Sequence, residues 1–133
     1  MRALLIAGVV ARLRAAPALR DVAVFDAPPV RAALPHALVE EPVLADWGTK
    51  DWRGREGRLA VTLADGGERP VRLRGLLAAV EDWLPEMPSD LGAGWRLVQL
   101  RFLRSRMARS GQGSGERWTG TAEFMVRMGE TER

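Results

Sequence analysis

Residues 95–128 read WRLVQLRFLRSRMARSGQGSGERWTGTAEFMVRM, and this stretch decides the fold. In its second half Trp118, Ala122, Phe124, Val126 and Met128 alternate with Arg117, Thr119, Thr121, Glu123, Met125 and Arg127. That period of two is the mark of a strand with one buried face. In its first half Val98, Leu100 and Phe102 share a face that continues as Arg104 and Arg106. The connector Ser110-Gly111-Gln112-Gly113-Ser114-Gly115 is too polar and too rich in glycine to be anything but a solvated link. The segment therefore predicts a long antiparallel hairpin. Its apolar alternation fails beyond Phe102, so its tip is expected to project past the core sheet.

Working towards the N-terminus, Leu73, Leu76, Leu77, Val80, Trp83 and Leu84 fall on one side of a helical wheel, with Arg74, Glu81 and Asp82 on the other. Pro70 suits the first turn of that helix and Pro85 ends it. Leu59, Val61 and Leu63 alternate with Ala60, Thr62 and Ala64, a strand closed by Asp65-Gly66-Gly67. Before it lies DWGTKDWRGREGR, residues 46–58, with neither a period of two nor one of 3.6; it reads as a long loop. Two short strands precede it, at residues 22–25 and 37–42, with prolines close enough to imply edge positions.

Residues 1–16 have a basic start and an apolar run, but Arg12 and Arg14 stand between that run and Ala16-Pro17-Ala18, where a cleavable signal has no charge. The segment reads as a helix with Leu5, Ile6, Val9 and Leu13 at helical spacing. Leu4 and Val10 widen its apolar surface, as a deep core position or a second contact with another subunit requires. The expected architecture is α+β: one domain over residues 1–133, a small, mainly antiparallel sheet of four to five strands, two helices packed on it, and the C-terminal hairpin.

The 133 residues are 47% hydrophobic and 28% charged, an ordinary globular composition, with no cysteine and a single histidine, His36. That inventory excludes disulfides, thiolate metal sites, cysteine nucleophiles and a serine triad built on more than His36. His36 follows Pro35 and reads as a structural or surface residue. The GQGSG run lacks the lysine and hydroxyl of a phosphate-binding loop and leads into a strand. Glu40-Glu41 and Glu81-Asp82 are chain neighbours, so their carboxylates diverge. No cofactor or metal is expected, and no enzyme activity.

The net charge is only +3 at pH 7, from 20 basic and 17 acidic residues. Lys50 is the only lysine; the pI of about 10.8 follows from arginines that never deprotonate, not from a large surplus. Arg96, Arg101, Arg104, Arg106 and Arg109 occur with no acid between them. They read as a solvated strand, as the lining of a passage that meets phosphate, or as a contact for an acidic partner. Phe102 is the one aromatic among them, which is poor provision for stacking bases. In the long loop, Trp47 and Trp52 flank Lys50. They form either a partner surface or a lid folded back over the sheet.

The order of features resembles a family of short phage proteins. The LLIAGVVARLRA helix, VFDAPPVRAALPHALVEEP, DWGTKDWRGREGRLAVTL and the LGAGWRLVQLRFLRSR…GERWTGTAEFMVRM hairpin are similar to tail-completion, or tail terminator, proteins of long-tailed phages. In particular they resemble the version found in gene transfer agents. The likeness covers nearly the whole chain, although Asp65-Gly66-Gly67 follows the strand where relatives are more aromatic.

The resemblance implies a structural protein. It would form a homohexameric ring on the last tail-tube ring, stop tube growth and give the head-side stopper a joint, with DNA only passing through. It would be made in the bacterial cytoplasm and end at the tail–neck junction, without a membrane. The family's loop maps onto Thr49, Lys50, Asp51, Arg55 and Glu56. With Trp47, Trp52 and Arg53 these are the candidate ring or tube interface; Arg101, Arg104, Arg106 and Arg109 are the candidate channel or inter-subunit arginines. The alternatives are a neighbouring neck component (stopper or head-completion protein) and a small arginine-rich nucleic-acid-binding module.

Overall fold

The computed structural model describes residues 1–110 and 117–131. Its elements are α1 (Arg2–Arg14), β1 (Ala23–Phe25), β2 (His36–Val39), β3 (Val43–Asp46), β4 (Gly54–Gly66), α2 (Val71–Trp83), β5 (Asp90–Gly92), β6 (Trp95–Ser110) and β7 (Arg117–Glu130). Short 3-10 turns follow α1 at Pro17–Leu19 and α2 at Leu84–Glu86, each placed where a proline forbids another α-turn.

The class is α+β with two helices, as expected, but the sheet is larger than four to five strands and it is mixed. Seven strands run in the order β1-β2-β4-β7-β6-β5, with β3 also on β4. The pair β1–β2 is parallel. A strand of three residues has no pattern of its own to declare its direction; its place is set by Val24 packing beside Ala37 in the core.

The loop expected over residues 46–58 contracts to residues 47–53, because β4 begins at Gly54. Residues 54–58 lack apolar alternation yet are extended, since β3 pairs with them on one side and β7 on the other. The strands β2 and β3 run along the same edge of β4, interrupted around Pro42, which has no N–H to donate. Val39 faces Val61 and Val43 faces Arg58, so the interruption contains one surplus residue. There the two backbones come so close that a Cβ on Gly57 would overlap the Val43 carbonyl.

The expected face of the first hairpin arm is also corrected. Register shifts lie between Leu97 and Gln99 and between Phe102 and Leu103's neighbour Arg104. Val98 therefore stands outside the ladder and is exposed, while Leu100 and Phe102 pair with Val126 and Phe124. Arg104 and Arg106 do not continue that face; they pair with Glu123 and Thr121 on the other one. The connector at residues 111–116, and with it the projecting tip, lies outside the described residues.

The buried residues form one cluster. Leu59, Val61 and Leu63 of β4 and Ala122, Phe124, Val126 and Met128 of β7 supply its floor. Leu73, Leu77 and Val80 of α2 lie on β4 and β7. The first helix touches β1, β2 and β5, which stand at opposite ends of the strand order, so the sheet curls around it. That position accounts for its wide apolar surface: Leu5, Ile6, Val9, Val10 and Leu13 are all buried within this chain.

Candidate functional site

Both helices contribute to one side of the sheet, and the ladder register defines the other, open side residue by residue. Along β7 it carries Gly129, Arg127, Met125, Glu123, Thr121 and Thr119, beside Gly54, Glu56, Arg58, Ala60, Thr62 and Ala64 of β4. On the β6 side the same rows continue as Arg96, Gln99, Arg101, Arg104, Arg106 and Ala108. In an uninterrupted strand Arg101 and Arg104 would point to opposite faces. The bulge before Arg104 brings Arg101, Arg104 and Arg106 to one face, all exposed. Arg104 reaches Glu123 through two contacts of 3.0 and 3.5 Å. Arg109, opposite Trp118, belongs by register to the helix-covered side.

At the other end of this face the tryptophan loop folds back. Thr49 and Trp52 exchange backbone hydrogen bonds (Thr49 N–H to Trp52 O, 2.8 Å; the reverse, 3.4 Å), which turn the chain tightly at Lys50 and Asp51. The rings of Trp47 and Trp52 meet edge-to-face at 5.4 Å. They settle over the paired glycines Gly54 and Gly129, where any Cβ would collide with an indole. The Trp52 indole N–H donates to the Glu130 carbonyl at 3.0 Å, and the Arg127 guanidinium lies 5.1 Å over Trp47. Both indoles are half-buried, so the loop is a lid on the sheet end; its tip, Thr49, Lys50 and Asp51, is exposed.

Thus the fold gathers Trp47, Trp52, Glu56, Arg101, Arg104 and Arg106 onto one face. It separates Arg55, which the register puts with Met128 on the opposite side and which pairs with Asp46 at 3.4 Å. Arg53 is turned to the sheet end, 3.2 Å from the Glu130 carboxylate and 5.3 Å from the Trp95 ring. Sequence reading missed Arg58, Arg127 and Glu123 as members of this surface. The alternation of β7 already placed Arg127 and Glu123 on its polar side; only the pairing showed what stands next to them.

The loop between β1 and β2 rises over the far end of the same face. Between them is a cleft of about 490 Å³ bordered by Arg31, His36, Thr62, Arg117 and Thr119. His36 lies edge-to-face on Phe25 at 6.0 Å. The described residues contain no group of three or more His, Cys, Asp or Glu side chains placed to hold a metal ion. No helix is long and apolar enough to cross a membrane.

One buried charge serves the fold. Asp65, at the end of β4, accepts from Arg72 Nε at 2.8 Å and from the Gly66 N–H at 2.8 Å. The Arg72 hydrogen bonds are the main cause that holds its carboxyl below the ordinary range, against the opposing effect of burial. The contact fixes the start of α2 against the strand that precedes it.

A family model for tail completion protein gp17 matches residues 7–128, from the middle of α1 to Met128 near the end of β7. Among solved structures, a chain from the virion of a native gene transfer agent particle is similar with a TM-score of 0.79 and 29% identity over 94% of each chain. No curated protein sequence matches the chain.

Proposed function

We propose that this chain, which belongs to the tail completion protein gp17 family, is a tail terminator of a gene-transfer-agent-like particle. It forms a six-fold ring on the last tail-tube ring, stops elongation and presents a joint to the head-side stopper, while DNA passes through. The observation that carries this reading is the extent of the likeness: 94% of the chain and 94% of a chain from a gene transfer agent virion correspond. The role is structural rather than enzymatic. Assembly takes place in the bacterial cytoplasm, before the protein becomes part of the particle.

A cyclic ring needs two different, complementary surfaces on each subunit. The loop Trp47, Thr49, Lys50, Asp51, Trp52 and Arg53, with Glu56 beside it on the open face, supplies one contact, with the tube or the adjoining subunit; Arg55, on the other side, belongs to a separate one. The tightly braced turn, with Thr49, Lys50, Asp51 and Arg53 exposed, favours a small, rigid contact over a wrapping one. Arg101, Arg104 and Arg106 face the passage or bridge subunits; Arg104 is already matched by Glu123, which restrains the stickiness of that face towards phosphate.

Negative-stain microscopy of the protein mixed with tail-tube protein tests this. Six-fold rings capping short, uniform tubes are expected. Uncapped tubes of unlimited length, with the protein free, would overturn it in favour of another neck component. The exposed arginine row favours one second reading, phosphate contact. A DNA affinity that falls steeply between low and physiological salt supports it, and no binding at low salt removes it.

A further inference from the structure

Besides the three-residue β1, two longer, unlike edges of the sheet are open. Past the short β5, which covers Trp95 and Arg96, and the Leu97 N–H, which donates to the Ser89 carbonyl at 2.7 Å, residues 98–109 of β6 have no strand beside them among the described residues. On the opposite side, β3 is paired with β4 alone. Such edges are open templates for another strand. Two of the four exposed large hydrophobic residues among those described stand on them: Val43, 75% exposed, on β3, and Val98, 46% exposed, in the bulge of β6.

The two edges also match in direction and in height. The strand β4 is antiparallel to β7, and β7 to β6, so β6 runs parallel to β4 and antiparallel to β3. Rotation about an axis along the strands preserves that relation, so a neighbouring copy offers β3 to β6 in the antiparallel sense. Following the ladder across the sheet, Ala45 stands level with Glu56, Arg127 and Gln99. Val43 is likewise level with Arg58, Met125 and Arg101. Without axial stagger, Leu44 of the neighbour comes level with Leu100, each half-buried in its own copy, and its Asp46 with Leu97.

We infer that successive copies of this chain join by adding β3 of one to the free edge of β6 of the next, so that their sheets become continuous around a ring. The inference rests on the ring reading above and specifies the contact that closes it.

The chain has no native cysteine, which makes cross-linking decisive. Ala45 and Gln99 in one copy are three strand spacings apart, about 14 Å, too far for a disulfide, which needs Cα atoms within about 7 Å. Oxidation of Ala45→Cys/Gln99→Cys, assembled on tail-tube protein, is expected to give a ladder of bands beyond the dimer, and each single variant none. Capping rings that stay monomeric after oxidation would overturn the edge pairing and leave the ring reading intact. Absence of both rings and ladder would overturn the two together.

Discussion

At Asp65 a carboxylate is buried with an exposed arginine, Arg72, as its partner, and the consequence is a pH dependence with a defined sign. The folded carboxyl titrates below its unfolded value, so its stabilisation is fully present above the unfolded pKa of about 3.9. It is lost as pH falls from there through the folded value. Replacing Asp65 by Ala removes hydrogen bonds to a charged donor and costs about 1–3 kcal/mol at neutral pH. Arg72→Ala leaves the carboxylate buried without its partner, so desolvation then dominates and the pKa moves up. Urea unfolding between pH 3 and 7 should show stability rising with pH across the acid range for the native protein and a flattened or reversed slope for Arg72→Ala. A second residue-scale constraint lies at Gly129. Its missing side chain is the seat of the Trp52 ring, so Gly129→Ala forces the indole off the sheet. The expected result is red-shifted emission from Trp52 in a chain whose other tryptophans are phenylalanine; unchanged emission would show that the ring is not held there.

At the scale of the element, the two irregularities of β6 assign its side chains to faces. Leu103 is the surplus residue of the second one, since Phe102 faces Phe124 and Arg104 faces Glu123. A plain register that kept Leu103 would turn Arg104 and Arg106 towards the helices, because a slip of one residue inverts every following side chain. Deleting Leu103 removes the surplus and leaves both arginines on the open face. The deletion variant is therefore expected to stay soluble and, like Leu103→Ala, to lose only about 1–3 kcal/mol in urea unfolding; an insoluble product would show that the bulge itself is required. This is also where the sequence stops being legible. The arm β7 could be read directly, since Phe124, Val126 and Met128 alternate without interruption, and so could α2 with its single apolar stripe. The polar start of β4, Gly54 to Arg58, is a strand because of what pairs with it and not because of what it contains. The same holds for β3, whose four residues are mostly exposed. For the candidate surface, the residue types were visible and their companionship was not: nothing local in RFLRSR announces a bulge, and nothing in the loop announces that Gly129 receives Trp52.

For the whole molecule, the curl of the sheet is the property that a ring would demand of every copy, and α1 is what the sheet curls around. The helix touches strands from both ends of the sheet and is tied to the end of α2 by one reciprocal contact. The Arg12 Nε–H donates to the Trp83 carbonyl at 3.1 Å, and the Trp83 indole N–H donates to the Arg12 carbonyl at 2.7 Å. The Arg12 guanidinium sits 3.6 Å from the Trp83 ring centroid. Because the ring and the guanidinium share a surface shielded on one side, their attraction should exceed that of a fully exposed pair, at about 1–2 kcal/mol. A double-mutant cycle with Arg12→Ala and Trp83→Leu isolates it, since both changes leave the two backbone carbonyls in place. A coupling of about 1 kcal/mol or more in urea unfolding is expected. If the pair also fixes the curl, the double variant should cap tubes less efficiently than its loss of stability alone accounts for, when compared with a core variant such as Val80→Ala adjusted to the same unfolding midpoint. Equal capping by the two would locate the contact in stability alone, and coupling near zero would mean that α1 is held by its buried leucines and valines without help from Arg12.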